Sequence, residues 1–311
     1  MNHQTSPDLR PDRLADTPAV TADGTPGSLP EAETAPQDGH PSPETASQMR
    51  QALETATRRL EVTRQGTEAR WGWRGRSLSV PVSGGLWLRL LAVSAERAGI
   101  PWWDGPQLAS ARMPSTVPMP AFLRASEWRT DGGELYRAEL YERFERRSIT
   151  TERLPPLGID LPDAWWTSLQ TALHEVAQVR TDRQCVRQGR LDWAMPLYLP
   201  SGVSTHVRSW TAAHGDVTWS NLAAPKLAIF DWETWGTAPL GWDAASLYVS
   251  SLDRPELAAK VRQVFSTTLD TDDGRVAILG AASMWLEKIE NEHLHLSLRE
   301  PLLRLTDRLL P

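Results

Sequence analysis

The sequence has a single cysteine, Cys185, and only three lysines among 311 residues. A lone thiol excludes an internal disulfide framework and a multi-thiolate metal site. No run approaches the roughly 18 apolar residues that a membrane-spanning helix needs, so none is expected and no membrane partner is implied. The N-terminus lacks a basic stretch followed by an apolar one, the layout of a secretory signal, which points to a cytoplasmic location. Large apolar side chains are scarce in residues 1–46, which hold eight prolines; no aromatic precedes Trp71 and no lysine precedes Lys226.

What is present describes a globular chain, with 40% hydrophobic and 23% charged residues. The formal net charge of −6 is unevenly placed. Residues 1–46 carry eight acids against Arg10 and Arg13, and the remainder balances 31 acids against 31 bases. That balance gives no bulk electrostatic footing for nucleic acid. The first 46 residues cannot bury enough surface to offset their ordering entropy, and they are predicted to be a disordered acidic tail.

A helix is predicted over 47–64, with Ser47 as its N-cap. From Trp71 the pattern turns to short β-rich runs. WGWRGRSLSVPVS and GGLWLRLLAVS flank a turn at Ser83-Gly84-Gly85, and PAFLRASEWR and ELYRAELYERF flank Asp131-Gly132-Gly133. A helical piece near DGPQLASAR lies between the two pairs. Residues 47–145 thus read as an antiparallel β lobe with a leading helix. Beyond Pro155-Pro156 the helical period takes over, and residues 146–311 read as a helical lobe. In PDAWWTSLQTALHEVAQV, Pro162 suits a first turn, and apolar positions 165, 166, 169, 172, 173 and 176 form one stripe. Segments 255–269, 274–290 and 299–309 are further predicted helices.

The stretch 205–248 breaks that pattern and carries the chemistry. His214, Gly215 and Asp216 precede a short run ending at Asn221; LAIF then reads as a buried strand ending at Asp231. Two acids and an amide at the ends of one hairpin can hold Mg²⁺, which completes its octahedron with phosphates and water. A further acid kept off the metal can orient or deprotonate a hydroxyl. Glu233 either adds to this acidic site or makes a surface salt bridge. Trp219, Trp232, Trp235 and Trp242 either wall a substrate site or pack.

This stretch resembles the aminoglycoside phosphotransferase family. Asp216-x4-Asn221, an apolar run and Asp231 match the spacing of a kinase catalytic loop and its downstream metal-binding Asp. His-Gly-Asp, Asp-Trp and Asp243 after Trp-Gly-x-Ala-Pro give the resemblance its particular form. About forty residues carry it. It implies an α+β, two-lobed, protein-kinase-like fold, with a small antiparallel N-terminal lobe and a larger helical C-terminal lobe. It implies ATP and Mg²⁺ as cofactors and a hydroxyl-bearing small molecule as the substrate partner. Asp216 would be the catalytic base, His214 would brace the catalytic loop, Asn221 and Asp231 would bind the metal and nucleotide, and Asp243 would be a structural partner.

The sequence departs from that family on the nucleotide side. Arg89, in GLWLRLLAV, stands where the family has a strand lysine, and its fork differs from a point-charge ammonium. WGWRGRS is a weak match to a glycine-rich phosphate loop, and the glutamate partner of Arg89 is unmarked, with Glu96 the nearest after the strand. The alternative to an enzyme is therefore a non-catalytic, kinase-like nucleotide-binding or regulatory module.

Overall fold

The computed structural model describes residues 41–72, 75–94, 103–143 and 148–309. The predicted tail lies, over residues 1–40, outside the described residues. Helix α1 spans Pro43–Arg59 and so begins earlier than Ser47. The Ser42 hydroxyl accepts from the Thr45 N–H at 3.1 Å, and Pro43 has no N–H to lose in the first turn. Met49, Leu53 and Ala56 on its inner face pack onto Leu78, Val80, Leu88, Leu90 and Leu140 of the sheet.

That sheet contains β1 (Arg70–Trp71), β2 (Ser77–Val82), β3 (Leu86–Ser94), β4 (Phe122–Arg129) and β5 (Glu134–Glu142), in the order β1-β2-β3-β5-β4, with every neighbouring pair antiparallel. Both expected turns join paired strands. The register sets Arg89 of β3 directly opposite Glu139 of β5. Helix α2 (Gly105–Arg112) lies between β3 and β4 in the chain.

The second lobe is helical, as expected. In α3 (Asp163–Ala177) all six residues of the predicted stripe are buried, and Pro162 is the cap rather than part of the first turn. Helix α4 (Gln188–Tyr198) was not expected, because Pro196 lies inside it and its apolar positions have almost no helical period. Leu191 and Met195 are fully buried, so tertiary packing holds it. Strands β6 (Trp210–Ala213) and β7 (Gly236–Pro239) form a two-stranded sheet, followed by α5 (Trp242–Ser250). The remaining helices are α6 (Pro255–Val264), α7 (Ser266–Leu269), α8 (Asp272–Glu292) and α9 (Arg299–Leu309). Helix α8 packs on α4, α5 and α9 at the centre of the lobe. Among the described residues no helix is long and apolar enough to cross a membrane.

One local expectation changes. LAIF is not a strand of an extended sheet but one arm of a minimal hairpin, closed by Ala223 N–H on Ala228 O at 2.9 Å and Phe230 N–H on Asn221 O at 2.8 Å. This hairpin hangs between β6 and β7, and it brings Asn221 and Asp231 back to the end of β6.

Candidate active site

The loop after β6 is built around Asp243, in the first turn of α5. Its two carboxylate oxygens accept the His214 N–H at 2.7 Å and the Gly215 N–H at 2.8 Å. Burial pushes this carboxyl above its usual range, although His214 and the two backbone hydrogen bonds pull it down. Gly215 has φ +90°, and a Cβ there would meet the Cys185 sulfur at 2.3 Å, so only glycine fits. Cys185 itself is buried, and its thiol is pushed well up by that burial, which leaves it unreactive.

His214 is fully buried. Its Nε2 lies 2.8 Å from the Phe230 carbonyl oxygen, which can only accept, so Nε2 carries the proton. Nδ1 then accepts the Asp216 N–H at 3.3 Å. The ring meets Trp232 edge-on at 4.6 Å. His214 thus ties the loop to the backbone just before Asp231.

Asp216 and Asn221 meet directly. The Asn221 amide donates to the Asp216 carbonyl at 2.9 Å and to its Oδ2 at 3.1 Å. Sequence reasoning missed the third member, Arg153. Its Nη1 donates to Asp216 Oδ2 at 3.1 Å and its Nη2 pairs with Oδ1. Burial would raise the Asp216 carboxyl; the charge and hydrogen bonds of Arg153 outweigh it and hold the group below its usual range, with His214 and Lys288 adding. Arg153 precedes Asp216 by 63 residues and sits in no motif, so only the fold reveals the pair.

The second cluster lies across the lobe boundary. Arg89 reaches from β3 to Asp231 Oδ1 at 3.3 Å, pairs with Glu233, and has Glu139 at 4.0 Å. Burial opposes its charge, but Glu233, Asp231 and Glu139 together raise its pKa well above the ordinary value. Glu233 is pushed up to about 7 by burial, against the pull of Arg89. Glu233 therefore joins the site rather than a surface salt bridge. Glu139 is fully buried and accepts from Tyr141 Oη at 2.7 Å and Arg137 Nε at 2.8 Å. Glu96 lies outside the described residues. Asp231 has φ +64°, a left-handed conformation that costs a non-glycine residue about 1–3 kcal/mol and that clusters at functional sites.

The turn after Asp231 is fixed from the α2 side. Trp235 Nε1 donates to the Gly105 carbonyl at 2.8 Å, and Arg183 donates to Glu233 O and Trp235 O, each at 3.1 Å. A Cβ on Gly105 would lie 2.2 Å from the Glu233 carbonyl oxygen. Backbone cannot swing aside as a side chain does, so Gly105→Ala is expected to cost about 1–3 kcal/mol, read as a lower urea midpoint with an unchanged slope. A midpoint equal to wild type would show that α2 is not tightly docked there.

The four tryptophans pack. Trp219, Trp232, Trp235 and Trp242 are all nearly inaccessible, and each indole N–H is bonded: to Ser251, Ile229 O, Gly105 O and Gly215 O.

For a cation, the donor set is small. The Asn221 nitrogen is committed to two Asp216 oxygens, which leaves its carbonyl oxygen for a hard cation, and Asp231 supplies one carboxylate. Among the described residues no three His, Cys, Asp or Glu side chains converge on one point. One carboxylate and one amide oxygen fit Mg²⁺, which takes the rest of its ligands from phosphate and water, and do not fit a structural zinc.

No protein-family profile matches the sequence, and no curated protein matches it. Solved structures do. Amicoumacin kinase hAmiN, in complex with AMP-PNP, Ca²⁺ and Ami, aligns with TM-score 0.52 at 12% identity, over 86% of this chain and 96% of its own. Aminoglycoside phosphotransferase APH(4)-Ia aligns with TM-score 0.53 at 10% identity, over 84% and 97%. The GDP and kanamycin complex of APH(2")-IIia gives 0.53 at 13%, over 84% and 98%. The fold is that of the aminoglycoside phosphotransferases. The alignments run through both lobes, so the sheet with Arg89 and the helical lobe with Asp216 belong to one kinase-like architecture. At these identities the likeness is one of architecture.

Proposed function

We propose that the protein is an ATP- and Mg²⁺-dependent phosphotransferase that moves the γ-phosphate to a hydroxyl of a small molecule. The observation that carries this reading is the Asp216–Asn221 contact on a loop whose backbone N–H groups are held by Asp243, with Asp231 brought to the same end of the hairpin. A chain that binds nucleotide without catalysis has use for Asn221 and Asp231 but none for a base at Asp216. The nucleotide and hydroxylated ligands of the structures that share its fold support the same reading.

In this reading the acceptor oxygen attacks γ-phosphorus in line with the departing ADP oxygen. The new P–O bond forms as the old one breaks, and the hydroxyl proton passes to Asp216 Oδ. Such transfers have a loose transition state, so Asp216 acts mainly by positioning the hydroxyl. Asn221 and Asp231 would hold Mg²⁺, which supplies charge neutralisation at the phosphates when bound. Arg89, beside Asp231, adds a positive charge that burial does not remove. His214 keeps the loop in register.

The test is calorimetry with MgATP on the wild type and on Asp231→Ala. Binding by the wild type and its loss in the variant are expected; no binding by the wild type removes the proposal. One observation favours a second reading, a nucleotide-binding module without catalysis: the guanidinium of Arg153 already holds both oxygens of Asp216. Nucleotide binding without turnover across hydroxylated acceptors supports that second reading.

A further inference from the structure

Arg153 spans both oxygens of Asp216 and neutralises the charge that would draw a hydroxyl proton, so the pair weakens Asp216 as a base. A group that draws Arg153 away would strengthen that base, and the surroundings of Arg153 indicate the chemistry of such a group. On α8, Trp285, Lys288 and Glu292 recur at i, i+3 and i+7 and so share one helix face. The Arg153 guanidinium lies 5.6 Å from the centre of the Trp285 ring, and His295 meets the same ring edge-on at 5.3 Å. The charge of Lys288 is opposed by burial and by Arg153 and favoured by Glu292 and Asp216, while Asp216, Asp231 and Glu292 favour that of Arg153. Asp216 uses the end-on edge of the guanidinium, Nη1 and Nη2, and Arg153 Nε is buried with no hydrogen-bond partner. Glu292 Oε2 is likewise buried without one.

We propose that the acceptor carries an anionic group, a carboxylate or a phosphate, which binds Arg153 beside Lys288 and in doing so frees Asp216. The inference rests on the phosphotransferase reading and names its substrate class. A buried donor left without a partner is destabilising, and the acceptor's anion would satisfy Arg153 Nε. A neutral polyol offers no equal to the charge-assisted pair that it would have to break. A cationic acceptor would turn to Glu292 Oε2, which lacks a partner, and leave the Arg153–Asp216 pair intact. An anion gives the fork an equivalent partner, so the exchange is nearly balanced and arrives together with the hydroxyl.

The experiment uses the full chain and four three-carbon probes that differ only in one terminal group: D-glycerate, glycerol 3-phosphate, glycerol and 3-amino-1,2-propanediol. Melting temperature is followed with each probe alone, and ADP release is followed with MgATP. One or both anions are expected to raise the melting temperature and accelerate ADP release, and whichever is stronger separates a carboxylate from a phosphate site. Arg153→Met is expected to raise the anion KM roughly tenfold or more, with Arg153→Lys recovering part of it. Lys288→Met, which leaves the partner of Asp216 in place, gives a smaller rise in the same direction and keeps the test open if Arg153→Met does not fold. The proposal is overturned if glycerol or the amine acts as well as the anions, if neither anion shifts the melting temperature, or if the variants keep the wild-type anion response. Failure of the wild type to bind MgATP overturns the phosphotransferase reading separately, because the probe-alone melting shifts are read without nucleotide.

Discussion

Asp243→Ala is expected to lower folding stability by about 3 kcal/mol and to loosen the loop that carries Asp216. The carboxylate is nearly inaccessible, and it takes the N–H groups of His214 and Gly215 on separate oxygens. Alanine leaves both donors buried and unpaired, at about 1–3 kcal/mol each before any relaxation. Asp243→Asn is expected to lose about half as much, since an amide presents one acceptor oxygen in place of two. Burial holds the folded Asp243 above its unfolded value, so between the two values the folded chain binds the extra proton. By linkage the Asp243 contribution therefore falls as pH rises through that window, and the gap between wild type and Asp243→Ala narrows. Urea melts across that window, with amide exchange at His214 and Gly215, check both claims. Unchanged exchange at the two amides, or a gap that widens with pH, contradicts this account.

The antiparallel lobe was legible because glycine turns punctuate it: Ser83-Gly84-Gly85 and Asp131-Gly132-Gly133 each sit between runs that pair in register. Helix α3 was legible because one face is buried and one is wet. Helix α5 carried no such signal, since all nine of its residues are buried and a helix buried on every side shows no wet-and-dry period. In the site, the residues close in sequence could be found from spacing: His214, Asp216, Asn221, Asp231 and Asp243 lie on one loop, one hairpin and one helix start. Arg153, Glu139 and Lys288 could not. Each is a charged side chain in an ordinary segment, and tertiary folding alone brings them to Asp216 or Arg89. No residue marks the glutamate partner of Arg89 in the sequence; strand register sets Glu139 of the neighbouring strand opposite it, and the turn after Asp231 supplies Glu233.

The scarcity of lysine takes on meaning at this site. Burial drives an ammonium toward its neutral form, as the lowered Lys288 illustrates, while a guanidinium stays charged. With Arg89 at one acid and Arg153 at the other, the site keeps two permanent cations through desolvation. An arginine fork also pairs with both oxygens of a carboxylate, which a lysine in the position of Arg153 could not do with the same geometry.

The second large effect concerns turnover. Asp216→Asn is expected to reduce phosphate transfer by about 10²–10⁴-fold, the usual range for losing a positioned acid–base group, with MgATP affinity retained. The amide matches the carboxylate in shape, so Asn221 and the Asp243-held backbone can keep their places; it removes the charge that accepts the hydroxyl proton and that pairs with Arg153. The split between kcat and nucleotide affinity decides the point. Loss of turnover with retained affinity assigns the chemistry to Asp216. Equal loss of both marks a residue that only holds the loop. Full retention of turnover moves the proton acceptor to another group of the cleft. In a chain that binds MgATP but transfers nothing, the substitution changes no rate. Release of Arg153 from a neutralised partner is then its sole consequence, and that outcome separates a module that binds nucleotide from an enzyme that uses it.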